Sequence, residues 1–205
     1  MNATRIALLA ASLALASGTA GAGPLAIGAK APMASARMKT AEGKDVSIND
    51  VKGAKGTLVV FTCNACPWAK KWEGRIVELG NAAAAKGVGM IAINSNDPGV
   101  NADDSYEVMQ TRAKERGMKY AYAFDATSGV AKAFGATRTP EAFLFDAKGK
   151  LVYHGTIDDN ADDASAVKDA YLSDAVNAVA AGKKVATAET KALGCGIKFR
   201  GKTSS

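Results

Sequence analysis

The chain has 205 residues, 48% of them hydrophobic and 22% charged. That suits one domain with a real core and excludes a disordered chain, and no self-similarity at solenoid spacing points to a repeat array. The formal net charge is +6, but the lysines are spread through the chain rather than gathered in one basic block. A solvated surface accounts for them, and no nucleic-acid partner is implied.

Residues 1–22, MNATRIALLAASLALASGTAGA, read as a secretory signal peptide. One base, Arg5, precedes an apolar run from Ile6 to about Ala16, and Ala20-Gly21-Ala22 fits a cleavage point. The run is too short to span a bilayer comfortably and no stop-transfer charges follow, so no stable membrane insertion is expected. No cysteine stands near the cleavage point to carry a lipid. Removing Arg5 and no acid takes the net charge from +6 to +5. The expectation is a periplasmic or otherwise exported protein, with residues 23–205 forming a single domain that ends in a tail from about residue 183.

Within that domain, AEGKD at 41–45 looks like a hairpin tip. TLVVFT at 57–62 is a short run of β formers and predicts a buried strand. From Pro67, Trp68, Trp72, Ile76 and Leu79 recur at helical spacing, and the helix runs out near Gly87. VGMIAIN at 88–94 predicts a second buried strand, followed by a loop. Asp104 and Glu107 have capping-box spacing and predict a helix that closes before Gly117. A short strand is expected over 120–124, then a small helix capped by Thr127 or Ser128 and stopped by Gly135. The segments 141–146 and 151–156, joined by AKGK, predict an antiparallel hairpin. Val167, Tyr171, Ala175 and Val179 mark a last helix with Gly182 at its end. Helices alternating with strands, and a late hairpin, predict an α/β fold: a mixed central sheet with helices on both faces and a C-terminal extension.

The chain's three cysteines are Cys63, Cys66 and Cys195. In an exported protein a structural disulfide is the first reading, but a bond across two intervening residues closes a tiny loop and removes little unfolded-state entropy. A Cys-x-x-Cys directly after a buried strand and opening a helix points instead to thiol redox chemistry. Free amides at a helix N-terminus stabilise an anion, so a thiol placed there ionises more easily. Proline favours the first helical position, so Pro67 would put Cys66 on the cap and Cys63 in the preceding loop. Were Pro67 instead one turn inside, it would kink the helix and leave the assignment open.

Other residues have two readings each. His154, the only histidine, could join the cysteine pair in holding a metal, but three such ligands fall short of a closed four-coordinate site, and a packing or surface role is the default in a hairpin strand. Thr139-Pro140 is either a turn at a strand entrance or a cis proline beside the sulfurs, with Thr139 offering backbone to a substrate strand. Trp68 shares a helical face with Trp72, which suggests core packing, yet it lies close enough to the cap to line a substrate groove. Lys70 and Lys71 could lower a thiol pKa, though solvation on an exposed helix face is the simpler account. Cys195, in TKALGCGIKFR, is either a free thiol in a tail that packs on the domain or a third redox thiol that docks near the pair.

The segments VVFTCNACPW, IAINSNDPG, AFGATRTPEAFLFDAKGKLVYHGTIDD and GCGIKFR together resemble the thioredoxin-like superfamily. More narrowly, they resemble exported peroxiredoxin-like redoxin proteins of the alkyl hydroperoxide reductase/thiol-specific antioxidant group. The resemblance implies redox roles for Cys63 and Cys66 and a cis-proline role for Thr139-Pro140. In thioredoxins the first cysteine of the pair occupies the cap. In peroxiredoxins a threonine stands three residues before a peroxidatic Cys-Pro; Cys66-Pro67 matches that pair, but Cys63 occupies the threonine's position and Thr62 is one residue off.

The expected function is thiol–disulfide exchange by a Cys63/Cys66 pair, with Thr139, Pro140 and Trp68 facing substrate. No organic cofactor is implied. The partners would be thiol or disulfide proteins and a redox protein that donates or accepts electrons. Two alternatives stand beside it: a thiol peroxidase with Cys66 attacking peroxide, and a metal (copper) carrier that binds through the same pair.

Overall fold

The computed structural model describes residues 23–201; the signal-peptide reading of residues 1–22 lies outside them. Among the described residues no helix is long and apolar enough to cross a membrane.

The strand of the TLVVFT run, β3 (Gly56–Thr62), is an interior strand of a seven-stranded sheet. Short β1 (Met38–Thr40) and β2 (Asp45–Val46) form the hairpin around the expected tip. Then come β4 (Val88–Asn94), β5 (Ala121–Phe124), the two-residue β6 (Arg138–Thr139), β7 (Glu141–Asp146) and β8 (Leu151–Gly155). The order across the sheet is β2-β1-β5-β4-β3-β7-β8. β3 pairs parallel with β4 and antiparallel with β7, and β4 pairs parallel with β5, so the sheet is mixed. β6 stands apart and pairs with a tail strand, β9 (Cys195–Gly196).

Because side chains alternate along a strand, β3 feeds two cores. Leu58 and Val60 point to one face with Met90, Ala92 and Leu144. There they meet Trp72 and Ile76 of α1 (Pro67–Ala83), Met109 of α2 (Tyr106–Glu115) and Leu172 and Val176 of α4 (Tyr171–Ala180). Val59 and Phe61 point to the other face, where Phe134 of α3 (Gly129–Phe134) and Phe143 pack edge-on around Phe61, with Ile48 and the tail's Ile197. Helices therefore cover both faces. Gly89 in β4 is obligatory for a local reason: a Cβ there would lie 1.7 Å from the Val51 carbonyl oxygen, where segment 51–53 crosses the strand.

Two predicted helix starts move, and a third is held by other groups than expected. Asp104 does not open α2; Ser105 does, accepting from the Val108 amide, because the Asp104 carboxylate is turned inward and only 1% exposed. Ser128 holds the N-cap position of α3 as expected but makes no capping bond through its side chain, while Thr127 Oγ1 accepts from the Gly129 amide at 3.2 Å. Ser128 sits at φ 56° and donates its hydroxyl to the Ser95 carbonyl, while the buried Asp125 carboxylate takes the Gly129 and Ala131 amides. The last helix begins at Tyr171 rather than near Val167, which follows a separate short turn at Ala164–Ala166.

Candidate active site

β3 ends at Thr62 and releases the chain into the loop Cys63-Asn64-Ala65, which α1 then takes up. Cys66 is the N-cap in extended conformation and Pro67 is the first helical residue. This is the arrangement that proline's preference predicts, because its missing N–H would have been unpartnered at that position anyway. Cys63 sits in the loop before it. Both thiols are buried, and all three cysteines are free.

The loop is braced from beneath by a carboxylate. Asp104 Oδ1 accepts from the amides of Asn64 at 2.7 Å and Ala65 at 3.0 Å, and its Oδ2 accepts from Asn96 Nδ2 at 2.8 Å. The Asn64 side chain is itself used at both ends. Its Oδ1 accepts from the Tyr122 hydroxyl at 2.8 Å and its Nδ2 donates to the Asp103 carbonyl.

The opposite wall is the Thr139-Pro140 segment, and its peptide bond is cis. It too is held by a buried carboxylate: Glu141 Oε2 accepts from the Thr137 and Arg138 amides, both at 2.8 Å. Glu141 Oε1 lies 2.7 Å from His154 Nε2, and the imidazole stacks on Phe143 with ring centroids 4.5 Å apart. His154 is thus buried behind the proline loop with its ring nitrogen engaged by Glu141. No group of three or more His, Cys, Asp and Glu able to hold a metal occurs among the described residues.

Thr139 meets both sulfurs of the pair. Its hydroxyl is 3.3 Å from Cys63 Sγ and its carbonyl oxygen 3.2 Å from Cys66 Sγ. The third thiol arrives on β9, whose register sets Cys195 opposite Thr139 and Gly196 opposite Arg138. Cys63, Cys66 and Ala69 form a small buried cluster with Cys195 packed against it.

The electrostatics split the pair. Hydrogen bonding from the neighbouring Cys63 thiol does most to stabilise a Cys66 anion; the Cys195 thiol and the Ala69 amide of α1's opening turn add to this, and together they outweigh the cost of burial. The Cys66 thiol is therefore held well below its ordinary 9.0. Its contact with the Thr139 carbonyl favours the protonated form and works against the other donors. Cys63 moves the other way, pushed up by its bond to the Cys66 sulfur, by burial and by the Asp104 charge. Cys195 is also raised, by burial and then by Cys66, while the Trp68 amide and Lys198 pull it back slightly.

Trp68 is not a core residue. It is 37% exposed beside the cap, stacked at 5.7 Å on buried Trp72, with the Lys71 ammonium 5.2 Å above its ring. Lys71 pairs with Asp162. Cys63, Cys66, Thr139, Pro140, Trp68 and Cys195 are thus gathered at one end of the sheet, and His154 is kept out. Sequence reasoning missed Asp104, Asn64 and Glu141 as the braces. Glu141, an acid opening the apolar run AFLF directly after Pro140, was the one readable signal.

Comparison with known proteins agrees with this geometry. The Redoxin family profile matches residues 26–171. A hypothetical protein of Sinorhizobium meliloti 1021 is similar at 32% identity and a TM-score of 0.80, over 87% of this chain and 97% of that one. An uncharacterized conserved protein of Geobacillus kaustophilus is similar at 34% identity and 0.80, over 87% and 94%. The thioredoxin domain of a thiol-disulfide oxidoreductase of Bacteroides vulgatus is similar at 26% identity and 0.52, over 63% and 88%. Curated protein sequences give no match. With the profile covering most of the domain, and the mixed sheet, paired cysteines and proline loop in place, the chain belongs to the Redoxin family and has a thioredoxin-like fold.

Proposed function

We propose that this redoxin is an exported thiol–disulfide oxidoreductase in which Cys66 is the attacking sulfur and Cys63 the resolving one. One observation carries the reading: two neighbouring thiols with opposite electrostatic settings, the anion-stabilised one on a helix cap. The Cys66 thiolate attacks a substrate disulfide, and one substrate sulfur leaves as a thiolate that takes up a proton. Cys63 then gives up its proton and attacks Cys66 Sγ. The mixed disulfide breaks, the second substrate thiol is released, and a Cys63–Cys66 disulfide remains for a redox partner protein to reduce. Run in reverse, the same steps oxidise a dithiol. The exposed face of Trp68 is what a substrate meets first, and Thr139 and Pro140, buried with β9 paired on Thr139, join that surface when the tail strand gives way. Export rests on the pattern of residues 1–22, and N-terminal sequencing of the secreted protein tests it.

The enzyme reading is tested by rapid mixing of the reduced protein with a disulfide-bonded protein and, in parallel, with hydrogen peroxide, followed by intact mass. Rapid exchange with the disulfide and slow oxidation by peroxide, with the mixed disulfide trapped on Cys66 when Cys63→Ser and Cys195→Ser are combined so that no neighbouring thiol can release it, is the expected result. Fast oxidation by peroxide that disappears in Cys66→Ser would make it a thiol peroxidase. Absence of exchange together with stoichiometric metal in the purified protein would make it a carrier.

A further inference from the structure

The tail does more than close the fold. The family match ends at residue 171, and the chain beyond α4 runs back along the outer edge of the sheet. There His154 exchanges backbone hydrogen bonds with Ala188 and Thr190. A second set of bonds holds the far end: the Ile197 amide donates to the Thr137 carbonyl, the Lys198 amide to Asn96 Oδ1 and the Arg200 amide to Ser128 Oγ. Between these two anchorages lies β9, paired antiparallel with the proline loop. An extended segment that adds to an exposed edge, with a side chain aimed at the chemistry, is how a peptide substrate is recognised by strand addition. Here the added strand is the protein's own, and the side chain it brings is a thiol.

Resting on the oxidoreductase reading above, we infer that β9 occupies the substrate-strand position on the Thr139 edge and that Cys195 is a third exchanging thiol, which forms a disulfide with Cys66. Two observations support this independently: the register that puts Cys195 opposite Thr139, whose carbonyl also contacts Cys66 Sγ, and the packing of Cys195 on the Cys63–Cys66 cluster. The exchange balances without a further reactant. When Cys66 carries a mixed disulfide, Cys195 loses its proton and attacks Cys66 Sγ. The bond to the substrate sulfur breaks, and that sulfur leaves and takes the proton. From the Cys63–Cys66 disulfide the same attack expels Cys63, with no net oxidation. Because the Thr139 edge is already paired, a substrate strand and Cys195 compete for one sulfur.

Gly194 is the weak point of the arrangement. A Cβ there would lie 2.2 Å from the Thr139 carbonyl oxygen, so Gly194→Ala pushes β9 off its partner while leaving the lacing on both sides in place.

The test uses Cys63→Ser, reduced and then mixed with glutathione disulfide, with peptide mapping after acid quench. The expected product is an intramolecular Cys66–Cys195 disulfide, formed at a rate independent of protein concentration. It should exceed the Cys66–glutathione adduct by at least about tenfold, because a thiol held in contact has a high effective concentration. In Cys63→Ser/Gly194→Ala the crosslink should form at least about tenfold more slowly while Cys66 still accepts glutathione. A persistent glutathione adduct, crosslinked dimers, or a crosslink rate unchanged by Gly194→Ala would overturn the inference. The wild-type chain run alongside separates the two failures: a Cys63–Cys66 disulfide there with no Cys66–Cys195 bond in the variant sinks only the third thiol, whereas no disulfide in either sinks the oxidoreductase reading.

Discussion

The two loops that carry the pair and the proline are held differently from the tail that lies across them. Each loop is fixed from inside by a buried carboxylate that accepts two successive backbone amides, Asn64 and Ala65 on Asp104, Thr137 and Arg138 on Glu141. The tail is held mostly through its own backbone, by main-chain partners at His154 and Thr137 and by the side chains of Asn96 and Ser128 at its far end, and Val185 and Ile197 are its buried apolar side chains. A brace that cannot be reached by water holds a geometry; a lacing at the surface holds a position that can be given up. Local opening draws on exposed hydrogen bonds with little apolar burial, so the tail is the part expected to move on a functional timescale.

Breaking a brace should have the largest effect. Asp104→Ala leaves the amides of Asn64 and Ala65 and the Asn96 side chain without their acceptor, and the expected cost is about 3 kcal/mol by urea unfolding. An unchanged midpoint would mean that water takes over the brace. Glu141→Gln keeps the shape and one oxygen but loses the charge, so about 1 kcal/mol is expected in the same measurement, with His154 losing its anionic partner.

The third effect follows from Cys66. Its folded pKa lies below its unfolded value, so its stabilising contribution is present above the ordinary 9.0 and is lost as pH falls through the depressed value. Cys63 and Cys195 are raised, so their contributions are lost only above that same 9.0. Between the depressed value and 9.0 the unfolded chain binds the extra proton. Raising the pH across that window should stabilise the reduced protein relative to the disulfide form, as thermal melts of both forms would read. Residue-resolved alkylation should meanwhile label Cys66 at a pH where Cys63 stays protected. A pH-independent difference between the two forms would contradict the split settings. The smallest effect on stability is Gly194→Ala, at or below about 0.5 kcal/mol, because the tail adds so little core. A change that small, together with faster proteolysis between residues 191 and 196, would sharpen the contrast with the braced loops; a large fall in the unfolding midpoint would erase it.

What was legible in the chain was whatever repeats or punctuates. Alternation and apolar runs placed β3 and β4 closely, and Pro67 placed Cys66 on the cap. Single buried polar groups were not legible. Asp104 has the spacing of a capping residue and would serve as one if the loop 63–65 were elsewhere. Only the tertiary fold brings those amides within reach, and the helix start then falls to Ser105. Trp68 and Trp72 are indistinguishable by period, yet one faces solvent at the start of α1 while the other, a turn further on, is buried in the core with its indole N–H donated to Asp158. β9 carries two residues and no alternation at all, so its partner could be named only by structure.

The brace on Asn64 also limits how this site can be varied. With its backbone amide on Asp104 and both ends of its side chain bonded, residue 64 is spoken for by the scaffold and is 2% exposed, whereas Ala65 lends only its backbone amide and is partly exposed. Of the two residues between the sulfurs, then, just one is open to adjust the driving force of the chemistry. Libraries built to retune this enzyme should randomise position 65 and leave 64 alone, and a dipeptide transplanted whole from another redox protein would change the scaffold along with the potential.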